Sequence, residues 1–301
     1  MKDTRLILLA QALAATFLWS ASKIILKLGL GFATPLLLAG CTQAVALVSL
    51  VIYSLFHPIK LSQPFKKMEI SVLVLLGIMG FVVAPLFAVI GLKYVAGTTA
   101  GLFAGLGSAL VMFLSWTILR EKPRSWQVIG GLVAFVGAYI FLFDNKLMGS
   151  SFGILMIVLS ELSYALNIVL TRLIMRRPGN DALIVALVGS ALGTTILLPL
   201  GLTENSWAAL GQWQVWLVII TVGLIFAFAG LLWNSALNYL LSFEAAIFQN
   251  TMLIQVGLLS AIFLRETITP YNLIGAIIVL AGAYLVSRPQ PSSKHYVHSG
   301  N

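Results

Sequence analysis

Residues 119–139 read LREKPRSWQVIGGLVAFVGAY, and residues 264–284 read LRETITPYNLIGAIIVLAGAY. The two stretches are one pattern repeated at an offset of 145 residues. Without a gap, the same offset pairs Leu92 with Leu237 and Tyr94 with Tyr239. Over residues 92–139 it yields 15 identities in 48 positions. Shared Leu and Val carry little weight in so apolar a chain. The pairs Arg120-Glu121 and Arg265-Glu266 carry more, as do Gly130/Gly275 and Gly137-Ala138-Tyr139/Gly282-Ala283-Tyr284. A repeat of this period divides the chain into halves before any single element is assigned.

Composition then decides the solvent. A soluble domain carries about 25% charged residues; this chain carries 9%, with 60% of its 301 residues hydrophobic and a mean hydropathy of +1.02. So few charges leave most of the surface to face lipid. Ten apolar spans of helical length recur, at roughly 6–29, 34–56, 69–92, 98–118, 125–143, 151–173, 182–202, 214–238, 244–263 and 270–287. At about 1.5 Å per residue each is long enough to cross about 30 Å of hydrocarbon. The apolar run behind Lys2 and Arg5 mimics a signal peptide. The register pairs Trp19 with Tyr164 and Lys27 with Arg172, so it is read as a retained helix.

The net charge of +9 does not point to nucleic acid, because the basic residues sit in short gaps between apolar runs. There they set orientation. With the N-terminus inside, inner segments hold 13 of the 18 Lys and Arg, outer segments hold Lys93, Lys146 and Arg265, and Lys23 and Lys27 fall within the first span. Both termini are therefore expected in the cytoplasm, in the inner (plasma) membrane. Five spans per half is an odd number, so the second half enters from the opposite side. The expected fold is all-α and integral to the membrane: ten transmembrane helices in two inverted five-helix repeats, over 1–145 and 146–290, with a flexible cytoplasmic tail at 291–301. Secondary transporters use this construction and place the substrate near mid-membrane between halves.

Two five-span halves, each closing on Arg-Glu and a Gly-rich helix that ends Gly-Ala-Tyr, resemble the EamA-type transporters of the drug/metabolite transporter superfamily. The resemblance covers about residues 5–288. It implies a central cavity lined by spans 1, 3, 4, 6, 8 and 9, with spans 5 and 10 at the periphery, where a homodimer would form. It implies small organic substrates such as amino acids and related metabolites, usually exported.

Polar residues inside the spans mark the candidate site, because charge in hydrocarbon is costly. Thr16, Ser20, Lys23 and Lys27 share one face of span 1, with Trp19 beside them. The same register gives Glu161, Ala165, Ile168 and Arg172 in span 6, with Tyr164 beside them. Lys27 and Arg172 stand near span ends, where long basic side chains snorkel to the interface. Glu161 lies about ten residues into its span, and Lys23 about one turn nearer the outer face, as its expected partner. Two readings of the pair stay open: a structural bridge, or a clamp in which Glu161 meets a substrate ammonium and Lys23 a carboxylate. Glu161 is also the candidate coupling proton site, since burial favours its neutral form.

Span 9 carries Glu244, Phe248, Thr251 and Gln255 on one face, and Phe103 of span 4 matches Phe248. Trp19, Lys23, Phe103, Glu161, Tyr164, Phe248, Thr251 and Gln255 are thus the expected substrate-binding residues. Pro85 inside span 3 and its counterpart Gly230 in span 8 are the expected gating positions, because both weaken a helix. Cys41 is the single cysteine and the three histidines lie at 57, 295 and 298, so no metal set is expected. No phosphate-cradling Gly loop, nucleophile–base set or cofactor motif is present. The leading expectation is a non-enzymatic exporter of an amino acid or related metabolite working by alternating access. Its alternatives are uptake of an organic cation, held by Trp19, Tyr164 and Glu161, and a non-transporting scaffold or lipid-handling subunit.

Overall fold

The structure is a computed structural model that describes residues 2–57, 67–120, 123–142, 149–175, 182–203, 207–237 and 242–286. The expected tail and Glu121 lie outside these residues. Among the described residues there is no strand. The first half holds α1 (Lys2–Gly29), α2 (Pro35–Phe56), α3 (Lys67–Gly77), a π-helical turn (Ile78–Val83), α4 (Ala84–Tyr94), α5 (Gly97–Gly105), α6 (Gly107–Leu119) and α7 (Ser125–Leu142). The second half holds α8 (Ser151–Met175), α9 (Ala182–Thr203), a 3-10 turn (Trp207–Gly211), α10 (Trp213–Leu237), α11 (Ser242–Phe263) and α12 (Pro270–Val286). Glu69–Tyr94 and Gly97–Leu119 each form one apolar rod. Among the described residues, seven helices or rods are long and apolar enough to cross a membrane by length and composition. Three shorter apolar helices, Ser125–Phe141, Gln249–Phe263 and Pro270–Leu285, occupy the other expected span positions.

Local chemistry starts and stops these helices in matched ways. Thr34 accepts from Leu37 N at the start of α2, with Pro35 at the first helical position, an entry that Pro favours. Gln127 Oε1 accepts from Arg124 N at the start of α7, and its counterpart Asn272 accepts from Thr269 N at the start of α12, each at 2.9 Å. Arg120 and Arg265 both adopt left-handed backbone, with φ of 57° and 54°. This conformation, uncommon for a side-chain-bearing residue, ends α6 and α11 at the same place in the repeat.

The halves pack by exchanging equivalent partners. The most extensive contact joins α7 to α12, and the next joins α2 to α9; α5 also meets its counterpart α11. Contacts between non-equivalent helices come in exchanged pairs too: α1 meets α10 as α8 meets α4. All three equivalent pairs run antiparallel. A Cβ added to Gly137 would stand 2.9 Å from Gly275 O, while one added to Gly282 would stand 2.5 Å from Gly130 O. A higher number on α7 thus meets a lower number on α12. The same order relates Gly40 and Leu197 to Gly201 and Leu36, and Gly97 and Ser260 to Gly101 and Val256. Small residues at these crossings let backbones approach, which is what drives helix association in lipid.

Pro85 explains the π turn. It has no N–H, and its ring would strike the carbonyl four residues back. The turn widens, and Ala84 N bonds Met79 O instead, five residues back. The carbonyl of Phe81 then turns towards α9, where an added Cβ on Gly193 would stand 2.6 Å from it. Ser160 Oγ donates to Ala84 O at 2.8 Å and Asn167 Nδ2 to Leu76 O at 2.8 Å, so α8 ties both ends of the irregular stretch. By contrast α10 passes Gly230 as regular helix, and nothing lies within 4 Å of where its Cβ would be.

Candidate functional site

The polar face of α1 points into the bundle and addresses three other helices in turn. Thr16 and Ser20 are fully buried. Ser20 Oγ donates to Gln255 Oε1 of α11 at 2.9 Å. The same amide donates through Nε2 to Thr16 Oγ1 at 3.4 Å and to Thr251 Oγ1 at 3.2 Å. One turn along α1, Lys23 Nζ donates to Glu161 Oε1 of α8 at 2.8 Å. Side-chain exposure there is 16% for Lys23 and 10% for Glu161, so the pair is largely withdrawn from solvent without being sealed. A further turn on, Lys27 Nζ donates to Leu92 O at 3.0 Å and to Val95 O, at the end of α4.

The expectation that Lys27 snorkels is corrected by this geometry. Its ammonium bends inward onto the last carbonyls of α4, groups that a helix end leaves unsatisfied and partly negative.

The structure brings together Lys23 and Glu161, and it brings together Thr251 and Gln255 with Thr16 and Ser20. Tyr164 stands one turn beyond Glu161 on α8 and is half-buried. Trp19 is not stacked on Tyr164. Its ring packs on Trp233 of α10, with centroids 5.5 Å apart and planes tilted by 58°, against Ala12, Ala15 and Ala229. Phe103 is half-buried between two apolar clusters, one around Leu92 and Val95, the other around Leu102 and Leu253. The side chains of Phe248 and Glu244 lie outside the described residues.

Sequence reasoning missed Ser160 and Asn167, which lie beside the Glu161 stripe on α8. A run of Ser160, Glu161, Ser163, Tyr164 and Asn167 is a polar cluster the sequence does show. Their carbonyl partners become identifiable only when Pro85 is seen to loosen the facing helix.

Chemically, the arrangement offers one cation and one anion at hydrogen-bond distance in a poorly solvated place, with an amide–hydroxyl cluster one turn away. An ion pair in such surroundings has little water to replace it. It opens at low cost only when another pair of opposite charges takes its place.

Two segments, residues 6–143 and 151–288, each match the model of the EamA-like transporter family. The chain belongs to the EamA-like transporter family. An uncharacterized transporter of Archaeoglobus fulgidus is 24% identical over 278 residues, covering 92% of this chain and 97% of its own length. The S-adenosylmethionine/S-adenosylhomocysteine transporter of Chlamydia muridarum is 27% identical over 124 residues, covering 41% of this chain and 38% of its own. A solved protein structure superposes with a TM-score of 0.61 at 20% identity, covering 93% of this chain and 97% of that one, which shows the fold alone. The EamA-like chain is thus a multi-pass membrane protein with transporter relatives. The repeat seen in its packing coincides with the two matched segments.

Proposed function

We propose that this EamA-like protein is a secondary transporter of a small zwitterion, an amino acid or related metabolite, which it exports by alternating access. The ion pair between Lys23 and Glu161 carries the reading. It joins equivalent helices of the two halves, α1 and α8, inside the bundle, and the substrate would open it: carboxylate to Lys23, ammonium to Glu161. The amide of Gln255 with Thr16, Ser20 and Thr251 would meet polar atoms of the substrate one turn along. The Chlamydia relative's named substrates carry an amino-acid zwitterion, which suits such a clamp. The placement of Trp19 against Trp233 disfavours an aromatic cage for an organic cation.

The same reading takes ten crossings, with the three shorter apolar helices completing the seven long ones, and two inverted units over 1–145 and 146–290. The antiparallel pairing of equivalent helices supports inversion. The charge asymmetry supports termini in the cytoplasm and residence in the inner membrane. Glu161 is the proposed coupling-proton site, and Pro85 with Gly230 the proposed gating pair. A homodimer through α7 and α12 would use their outer faces, Leu132, Phe135, Ile274 and Ile277. Their glycine faces already meet within one chain.

Counterflow into proteoliposomes, with a panel of neutral amino acids, choline and nucleosides, tests the reading. A zwitterion should exchange, and exchange should fall at least about 100-fold in both Lys23→Met and Glu161→Gln. Exchange of choline alone, or zwitterion exchange untouched by either change, would contradict it.

A further inference from the structure

The tightest polar arrangement outside the candidate site surrounds the turn between α4 and α5. Three segments distant in sequence satisfy its backbone. Lys27, at the end of α1, donates to Leu92 O and Val95 O. Ser150 N, just before α8, donates to Tyr94 O at 3.1 Å. Glu266, between α11 and α12, accepts from Gly97 N at 2.7 Å, Thr98 N at 3.0 Å and Thr98 Oγ1 at 2.9 Å. A cation therefore sits on the C-terminal carbonyls of α4 and a carboxylate on the N-terminal amides of α5, each matched to the helix dipole it faces.

Arg265 turns left-handed to end α11, and the very next residue is the one that crosses to the other half. In this copy, Arg265-Glu266, the pair is thus a helix stop followed by a cap delivered to the other half of the protein.

We propose that Glu266, with Lys27, is a latch that holds this end of the bundle shut, and that α5 and the α11–α12 connection part there during the transport cycle. Pulling the two apart strands a carboxylate and two helix amides. In a dry setting each orphaned group costs about 1–3 kcal/mol. If water enters, it replaces the same hydrogen bonds at nearly the same free energy. The contact is therefore stable when this end is sealed and close to neutral when it is wet, the behaviour a gate requires. The need for such opening rests on the transport reading; the latch itself does not.

Distances between spin labels test it. Cys41, which is buried, is replaced by alanine, and labels are placed at Lys93 and Thr267, both exposed. These sites flank the turn and the loop that Glu266 joins. In detergent without substrate, the parent should show one dominant short distance. In Glu266→Ala the share of a longer distance should rise about 10-fold, within the range expected for loss of a helix cap. An unchanged distribution would overturn the proposal. Should the alanine variant fail to fold, Glu266→Gln keeps the shape and one acceptor oxygen. A smaller shift in the same direction supports the latch, and none overturns it. Because the distances are read without substrate, a latch that opens in a protein that moves no solute would leave the latch standing and sink the transport reading instead.

Discussion

At the scale of single residues, the contact between Lys23 and Glu161 can be structural glue or a substrate clamp, and the two roles make different predictions. Removing one partner leaves an unpaired charge among apolar helices, a loss of about 3–5 kcal/mol for a buried pair. Part of that is relieved here by the residual 16% and 10% exposure. Glu161→Gln should therefore lower the thermal midpoint clearly. The double change Lys23→Met with Glu161→Gln should recover most of it, since no charge is stranded. A pure bridge would regain function together with stability. The clamp predicts a stable double variant that moves nothing, and transport recovering with stability would refute the clamp. If Glu161 also carries the coupling proton, Glu161→Gln should remove any pH dependence of residual transport.

The pair was legible in the sequence because both charges fall mid-span on helix faces that the repeat register aligns. The target of Glu266 was not. Its neighbour Arg265 offers an obvious local partner, and only the folded chain brings α5 within reach.

At the scale of elements, glycine positions divide into crossings and open sites. A Cβ at Gly137 would stand 2.6 Å from the backbone nitrogen of Val279, an atom of a packed helix that has nowhere to go. Gly137→Ala should cost about 1–3 kcal/mol, the usual penalty of overpacking. Gly230→Ala meets nothing within 4 Å, so it should be neutral or stabilise by up to about 1 kcal/mol through helix propensity. Thermal unfolding in detergent compares them; equal effects would refute the crossing. If Gly230 has a gating role, the alanine change should alter transport rate while leaving stability intact.

Pro85→Ala supplies the missing N–H and removes the cause of the π turn. The prediction is a change in transport rate larger than any change in affinity. An equal loss of substrate binding would argue that the irregular turn shapes the site and does not serve motion. The sequence showed Pro85 and its partner Gly230, but not that one helix distorts and the other stays regular. That difference arises because proline forbids a bond, whereas glycine merely permits a bend.

At the scale of the whole molecule, the repeat at an offset of 145 residues was the most legible feature, and the packing follows it. The equivalent pairs α7–α12, α2–α9 and α5–α11 run antiparallel, with glycines on both sides of the α7–α12 and α2–α9 crossings. Two similar halves placed in opposite senses have near-equal energies when their roles are exchanged, the thermodynamic condition for a carrier that faces each side in turn. The register also shows where the symmetry breaks. Lys23 and Glu161 have Ile168 and Thr16 as their counterparts. The charges therefore meet once, at one place, and not twice.

Thermal unfolding of the purified protein with amino acids, choline and nucleosides tests the central claim most directly. A bound ligand at 100 times its Kd adds about 2.7 kcal/mol to stability. The account predicts that a zwitterionic amino acid or related metabolite stabilises the parent protein by this order and leaves the folded double variant, Lys23→Met with Glu161→Gln, unmoved. Equal stabilisation of the double variant, or stabilisation of the parent by choline and by no zwitterion, would contradict it.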